Sequence, residues 1–223
     1  MVDIKGNLAK VAATLPRDVE LLAVTKFHPI EALREAYDCG LRRFGENRVQ
    51  ELLSKQPHLP SDIKWHFIGH LQSNKVRQVV GRVEMIESVD TVRLLNIIDR
   101  ESQRAGVVTK VLLQLHVARE ETKFGFSVDE LMDFFENRGF ESLSAVHICG
   151  LMGMASNTDD CERVSSDFRE IARCYNLIRN DERLGLRGFD ILSMGMTNDY
   201  EIAIREGSNH VRIGTAIFGK REY

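Results

Sequence analysis

The chain has 223 residues, of which 30 are basic and 33 acidic, so its net charge is −3, and 43% of its residues are hydrophobic. This composition is typical of a globular protein, and the balanced charge argues against general binding to nucleic acid or to membrane surfaces. No apolar stretch approaches the roughly 18 residues of a membrane span, and the charged N-terminus lacks the apolar run of a secretory signal. The four cysteines form no CxxC pair, which favours free thiols in a reducing cytoplasm.

The chain begins with an amphipathic pattern, in which Ile4, Leu8, Val11 and Leu15 recur at helical spacing. We predict an N-terminal helix here. We expect it to cover the bottom of the fold or to pack against its outside.

Short, β-rich apolar runs then alternate with longer amphipathic runs along the rest of the chain. Among the helical patterns, Pro29–Gly40 ends in a glycine suited to the position after the last turn, and Ser127–Arg138 begins with a capping box of Ser127 and Glu130. The predicted strands are Glu20–Lys26, Arg43–Glu46, Lys64–Gly69, Met85–Val89, Thr109–Val117, Ala145–Met154, Ile191–Gly195 and His210–Gly214.

Eight βα units in about 200 residues predict parallel strands that close into a (β/α)8 barrel. An open doubly wound sheet is the alternative, but it would usually carry a glycine-rich turn after its first strand. Here that turn is Thr25–Pro29, which contains no glycine. No linker is visible, so we predict one α/β domain over residues 1–223.

In such a barrel the functional residues lie at the carboxyl ends of the strands. Lys26 closes the apolar run Leu21–Val24. A partly desolvated lysine is a good Schiff-base nucleophile at neutral pH. The alternative is a lysine that extends from the strand end to solvent.

Two glycine-containing turns, Ser193–Thr197 and Gly214–Thr215, follow the last two predicted strands. Loops at this place in a barrel, together with the start of a short helix, commonly bind phosphate through backbone N–H groups. Tight βα turns without a ligand are the alternative. Together with Lys26, the two turns indicate a ligand that carries both a phosphate and a carbonyl group.

Arg212 lies two residues before Gly214, so strand alternation puts both on the same side. An arginine that faces the barrel mouth needs an anion or another acceptor. A salt bridge to Glu46 or Glu87 is the alternative to a ligand.

The histidines and methionines near the rim carry weaker signals. His66, His116 and His210 lie inside predicted strands and His70 begins a loop, but no carboxylate or cysteine stands at ligand spacing, so we predict no metal site. Four methionines near strand ends are typical of core packing, although they could also pack against a flat ring. They are Met152, Met154, Met194 and Met196.

Several further motifs occur in one order over nearly the whole chain. They are Leu22–Lys26, Phe44–Glu51, Trp65–Lys75, Glu121–Gly125, Gly150–Gly153, Leu192–Met196 and Val211–Thr215. With these motifs the chain resembles the pyridoxal phosphate homeostasis protein family, which is related in fold to the N-terminal barrel of alanine racemase.

The resemblance implies a fold-type III barrel that holds pyridoxal 5′-phosphate as a Schiff base on Lys26. It further implies that Asn47 lies near the pyridine ring and that Arg212 faces the ring nitrogen. The residues that it places around the phosphate are Ser193, Gly195, Gly214 and Thr215. Thr197 stands where serine is common in the family, which leaves these contacts in place.

The resemblance also implies a protein that buffers the cofactor and delivers it to apo-enzymes, with no robust catalysis. An amino-acid racemase is the alternative, and it needs an acid/base on each face of the substrate adduct. Lys26 could serve one face, but only Tyr200 among the four tyrosines is placed near a rim, and an arginine at the ring nitrogen makes the ring a poorer electron sink. A lysine-based aldolase, the third possibility, has no motif in its favour. We therefore expect a cytoplasmic, monomeric cofactor carrier.

Overall fold

In the computed structural model, which describes residues 2–117 and 124–219, eight parallel strands pair in sequence order and close into a barrel. The closing pair is β8 with β1, in which His210 stands opposite Glu20. The strands are β1 (Glu20–Val24), β2 (Arg43–Glu46), β3 (Lys64–Phe67), β4 (Met85–Val89), β5 (Thr109–Leu115), β6 (Val146–Gly153), β7 (Ile191–Ser193) and β8 (His210–Ile213). The predicted (β/α)8 barrel is confirmed.

Helices surround this barrel, and the first of them is the predicted extra helix. The α-helices are α1 (Ile4–Thr14), α2 (Ile30–Asp38), α3 (Val49–Lys55), α4 (Val76–Val79), α5 (Val92–Ala105), α6 (Val128–Glu136), α7 (Cys161–Arg179), α8 (Tyr200–Arg205) and α9 (Thr215–Phe218). Helix α1 buries Ile4, Leu8 and Val11. The side-chain amide of Asn7 donates to the Ile217 carbonyl at 3.0 Å. The N-terminal helix therefore packs outside the barrel, against the last helix.

The predicted helix ends are also present. Gly40 follows α2 with a φ of 97°, a conformation that favours glycine. At the start of α6 the Ser127 hydroxyl accepts from the Glu130 N–H at 3.1 Å, and a Glu130 carboxylate oxygen accepts from the Ser127 N–H at 2.9 Å. The capping box is confirmed, and it satisfies two backbone donors that the helix leaves unpaired.

Several strands end earlier than predicted, because the chain leaves the sheet where special backbone conformations begin. The Thr25 N–H still donates to the Gly45 carbonyl at 3.0 Å, but Phe27 has a φ of 66°, so β1 stops at Val24 and Lys26 lies in a turn. Gly195, with a φ of 92°, lies outside β7 for the same reason. His116, predicted inside a strand, is the residue after β5.

The core is apolar around the barrel but contains a polar cluster inside it. Large side chains such as Phe44, Phe67 and Phe168 are fully buried between strands and helices. The buried polar residues inside the barrel include His66, Glu87, Ser193, His210 and Arg212. Across residues 2–117 and 124–219, every helix is too short or too polar to cross a membrane.

Candidate cofactor site at the carboxyl ends of the strands

Lys26 is half-buried in the turn that follows β1. The next residue, Phe27, has a left-handed backbone, which costs about 1–3 kcal/mol in a residue other than glycine. Its N–H donates to a Glu51 carboxylate oxygen at 2.8 Å, and the Arg48 guanidinium lies 4.7 Å from the centre of its ring. Contacts from the start of α3 and the residue before it therefore hold the turn that carries Lys26.

The buried ammonium group of Lys55 also contacts this turn. Lys55 donates to the Thr25 carbonyl at 2.9 Å, to Glu46 at 2.7 Å and to Glu51 at 3.0 Å. Burial raises the pKa of the Glu46 carboxyl despite the nearby Lys55 charge. For Glu51, partial burial opposes the charged form, but the Phe27 N–H and Lys55 together outweigh it and lower the pKa of this carboxyl. Sequence reasoning missed this group, although the i,i+4 spacing of Glu51 and Lys55 on α3 is a usable signal.

Asn47 follows β2 and presents an unused acceptor. Its Oδ1 atom is shielded from solvent and has no hydrogen-bond partner among the described residues. Gly69 packs closely against the Asn47 backbone, so that a Cβ atom at position 69 would lie 2.1 Å from the Asn47 carbonyl oxygen. Buried polar atoms are normally paired, so the free oxygen indicates that a ligand completes this part of the site.

The turn after β7 depends on Gly195. A Cβ atom at this position would lie 2.7 Å from both the Ala203 Cβ and the Tyr200 Cα, and the φ of 92° favours glycine as well. The Gly195 carbonyl accepts from the Arg212 N–H at 3.0 Å. This bond ties the turn to β8, so the two glycine turns predicted from sequence lie side by side.

The turn after β8 leaves two backbone donors weakly bonded. The N–H groups of Gly214 and Ala216 both point to the Thr197 hydroxyl oxygen at 3.4 Å, which is long for a hydrogen bond. A Cβ atom at Gly214 would lie 3.1 Å from the Val24 carbonyl oxygen. Thr215, which begins α9, is exposed. This is a glycine turn with donors that a phosphate oxygen could take over.

Arg212 is buried inside the barrel, and its hydrogen bonds to described residues all go to neutral groups. One terminal nitrogen donates to the Ser193 carbonyl at 2.8 Å and to the Ser193 hydroxyl at 2.6 Å, and the other donates to the Gly153 carbonyl at 2.9 Å. Within the described chain it forms no ion pair with Glu46 or Glu87, so the alternative of a direct salt bridge is wrong. Ser193 is fully buried, and its predicted contact with the phosphate stays a prediction.

Glu87, which the sequence suggested only as a direct salt-bridge partner of Arg212, lies behind this arginine. One carboxylate oxygen accepts from the Ser193 hydroxyl at 2.7 Å, and the other lies 2.6 Å from His66 Nδ1 and 3.2 Å from His210 Nε2. The ligating atoms of the two histidines and the glutamate lie within 4.8 Å of one another. However, 2.6 Å is a hydrogen-bond distance, shorter than the roughly 3.3 Å between two ligands of a tetrahedral zinc ion. Glu87 therefore hydrogen-bonds to His66, while His210 Nε2 lies at ion-pair distance and forms no hydrogen bond of good geometry among the described residues.

The rim histidine His70 has a carboxylate partner from the next strand. Its Nδ1 lies 2.8 Å from an Asp90 oxygen, and its ring stacks on exposed Phe124 at 3.7 Å between centres. Phe124 and Gly125 end the motif Glu121–Gly125, whose first three residues lie outside the described residues. Of the four methionines, Met152 and Met194 are buried in the core, whereas Met154 is half-buried and Met196 is exposed.

The predicted cofactor residues follow four strands that are neighbours in the barrel. Lys26 follows β1, Asn47 follows β2, Gly195 follows β7 and Gly214 follows β8, and these strands are adjacent in the order β7, β8, β1, β2. Parallel strands end at one rim. The structure therefore brings the lysine, the free acceptor and both glycine turns to one side of the same end.

Comparisons with known proteins identify the family of this chain. The family described as the alanine racemase N-terminal domain matches residues 2–222. A pyridoxal phosphate homeostasis protein of Aquifex aeolicus is 40% identical over 205 residues, which cover 92% of this chain and 88% of that protein. Its counterpart in Escherichia coli is 35% identical and covers 100% of this chain and 99% of its own.

Solved structures show the same relationship. PipY of Synechococcus elongatus, solved with PLP bound, has a TM-score of 0.89 and 35% identity, and the match covers 97% of this chain and all of PipY. An alanine racemase of Clostridium difficile shares the fold, with a TM-score of 0.78 and 12% identity over 99% of this chain and 57% of the racemase. The chain belongs to the pyridoxal phosphate homeostasis protein family, within the group that shares the N-terminal barrel of alanine racemase.

Proposed function

We propose that this protein binds pyridoxal 5′-phosphate as a Schiff base on Lys26 and acts in pyridoxal phosphate homeostasis, buffering the cofactor and delivering it to apo-enzymes. The observation that carries the proposal is the meeting of Lys26, Asn47 and the two glycine turns at one end of the barrel. PipY, a relative with 35% sequence identity, was solved with PLP bound, and the match covers the whole of the PipY chain. Residues 1–223 form one cofactor-binding domain in this proposal.

Each residue has a defined part. The cofactor supplies an aldehyde that condenses with an amine, and Lys26 is the amine. The N–H groups around Gly195, Gly214 and Thr215 would bind the phosphate, and the free oxygen of Asn47 would serve the pyridine ring. Arg212 would donate toward the ring nitrogen, which would keep that nitrogen unprotonated and the ring a poor electron sink. Ser193 contributes by holding Arg212.

The positions of the tyrosines favour a carrier over an enzyme. The Tyr200 hydroxyl lies 2.9 Å from the Thr14 hydroxyl at the end of α1, and Tyr37 donates to Asp62 at 2.7 Å, just before β3. Tyr175 packs on Phe189, just before β7. The contacts of Tyr37 and Tyr175 lie at the opposite end of the barrel from Lys26. Tyr200 begins α8 beside Gly195, at the rim that carries the site, and its hydroxyl is held by Thr14. Tyr223, the fourth tyrosine, is outside the described residues.

One observation favours a second candidate, weak amino-acid racemase activity. His70 has its Nδ1 bonded to Asp90, which leaves Nε2 available for proton transfer at the rim that Lys26 shares. A deuterium-exchange assay at the α-carbon of alanine tests this function. Exchange that depends on both Lys26 and His70 would establish it, and the absence of exchange leaves the carrier as the function.

An absorbance spectrum of the purified protein with added pyridoxal phosphate tests the cofactor assignment. We expect a Schiff-base band that disappears in Lys26→Ala and persists in Lys64→Ala, an exposed lysine at the start of β3. A band that survives in Lys26→Ala refutes the assignment. Delivery is tested by mixing the holo-protein with an apo-enzyme, where transfer no faster than from free cofactor contradicts the carrier role.

A further inference from the structure

The hydrogen bonds around Glu87 have only one consistent direction. Arginine has donors and no acceptor, so the Ser193 hydroxyl accepts from Arg212 and gives its single proton to Glu87. The Glu87 oxygen that faces Ser193 is then an acceptor. Burial opposes a charge on this carboxyl, but His210 and His66 hold its pKa well below the ordinary value, so Glu87 carries a negative charge. His66 Nδ1, 2.6 Å from the other carboxylate oxygen, donates to it as well. Every donor in this chain of contacts points toward Glu87.

Glu87 is also the counter-charge of a buried cation. The Arg212 guanidinium is 4% exposed, and its bonds go to two backbone carbonyls and one hydroxyl. An arginine buried among neutral acceptors is unfavourable unless an anion is near. The Ser193 hydroxyl connects it to Glu87 with contacts of 2.6 and 2.7 Å.

We propose that Glu87 is a positioning residue for the cofactor: through Ser193 it holds the Arg212 guanidinium at the ring nitrogen, and its charge, balanced by His210, sets the electrostatic field at that end of the ring. This inference rests on the proposed function. In this proposal Glu87 does not contact the cofactor and acts on it through Arg212.

Charged groups face this cluster from several strands. His66 comes from β3, while His210 and Arg212 come from β8, and His210 Nδ1 lies 3.8 Å from Glu20 at the start of β1. Asp199 adds a negative charge that acts on Arg212 from the loop after β7. His66 and His210 also line a cavity of about 320 Å³ at the amino ends of the strands. The charged side chains around it are Glu20, Arg43, Lys64, Glu84, Lys110 and Asp190. The cluster therefore reaches this cavity, at the opposite end of the barrel from the cofactor.

A pH titration of the Schiff-base band in the holo-protein tests the proposal. The protonated Schiff base is a cation. Removal of a nearby negative charge therefore lowers the pH midpoint at which it loses its proton, and removal of a nearby positive charge raises that midpoint. We expect Glu87→Gln to lower the midpoint and His210→Asn to raise it, each by roughly 0.5–1 pH unit. Glu84→Gln is the matched control, because this carboxylate precedes the same strand but pairs with Lys110 near the surface.

Opposite shifts for the two variants support the proposal, since simple structural damage does not change sign with the charge removed. Two results overturn the proposal. In one, the Schiff-base band of Glu87→Gln has the same pH midpoint as that of Glu84→Gln. In the other, Glu87→Gln and His210→Asn shift the midpoint in the same direction. Should Glu87→Gln not fold, Ser193→Ala removes the connection and leaves every charge. We then expect the dissociation constant for pyridoxal phosphate to rise about tenfold, and an unchanged constant contradicts the proposal.

Failure of this inference is distinguishable from failure of the proposed function. A wild-type protein without a Lys26-dependent band refutes the function. A normal Lys26-dependent band that does not respond to Glu87 refutes only the role of Glu87.

Discussion

The ammonium nitrogen of Lys55 lies 2.7 Å from a carboxylate oxygen of Glu46, and both side chains are buried. The same nitrogen donates to the carbonyl of Thr25, the residue before Lys26. A buried ion pair adds little net stability, because desolvation of both charges offsets their attraction. Removal of only one of the two side chains is destabilising, because the other charge then stays buried without a partner.

Lys55→Met should therefore lower the free energy of unfolding by about 3–5 kcal/mol, measured by urea denaturation. Lys110→Met is the control, since Lys110 pairs with Glu84 at the same 2.7 Å but at the surface. There the loss should be no more than about 1 kcal/mol. We expect the double variant Lys55→Met/Glu46→Gln to regain much of the stability, because no unpaired charge is left at Glu46.

Two results would contradict this account of the Lys55 group. One is an equal loss in the buried and the surface variants. The other is a double variant that is less stable than Lys55→Met alone.

The two histidines beside Glu87 have pKa shifts of opposite sign. Burial lowers the pKa of His66 from 6.5, despite the contact with Glu87. Burial also opposes the charged form of His210, but Glu87 and Glu20 outweigh it and raise its pKa above 6.5. For His66 the unfolded chain binds the proton more readily, so stability falls as the pH drops below about 6.5. For His210 the stabilising effect is complete below that pH and is lost as the pH rises through its folded pKa.

The combined contribution of these two histidines should thus peak near pH 6.5, in unfolding free energies measured between about pH 5 and 9. In a plot of unfolding free energy against pH, His66→Asn should flatten the slope on the acid side of the maximum. His210→Asn should flatten the slope on the alkaline side. His58→Asn serves as the control, because this residue lies in the loop between α3 and β3, away from the cluster. The interpretation fails if either cluster variant changes the slope on the wrong side.

The sequence predicted the barrel because alternating strand and helix patterns depend on local spacing, and the closed topology follows from their number. It also placed Lys26, Gly195 and Gly214 at the carboxyl ends of their strands, where the structure has them in turns, and their contacts with the cofactor stay a prediction. It did not predict the Glu87 cluster, because Glu87, Ser193 and Arg212 are separated by up to 125 positions and meet only when the barrel closes. The end of β1 was missed for a related reason: Phe27 has a positive φ, and its N–H is bonded by Glu51 of α3, which lies 24 positions further along the chain.

Gly195 and Gly40 allow the steric and the conformational effects of a glycine to be separated. Their φ angles are 92° and 97°, but a Cβ atom at Gly195 would lie 2.7 Å from two neighbours, whereas a Cβ atom at Gly40 would have no described atom within 4 Å. Gly40→Ala should lower the free energy of unfolding by about 1–2 kcal/mol, the ordinary cost of a left-handed alanine. Gly195→Ala should lose at least about 1 kcal/mol more, and should also weaken cofactor binding.

Thermal and urea unfolding of the two variants provide the comparison, with binding followed by the Schiff-base band. Equal losses at the two positions would show that the turn after β7 relaxes freely around a side chain. That result would remove the steric argument for Gly195.

The four thiols should differ sharply in reactivity. Burial raises the pKa of Cys149 to about 11, and it raises the pKa of Cys174 as well, whereas Cys39 and Cys161 are exposed. Only the thiolate reacts with a disulfide reagent, and at pH 8 a thiol with a pKa near 11 is about one thousandth ionised. Ellman's reagent should therefore label two thiols rapidly in the native protein and all four after denaturation. Cys39→Ser and Cys161→Ser should each remove one rapid equivalent, and a third rapid equivalent in the native protein would show that one of the buried sites opens.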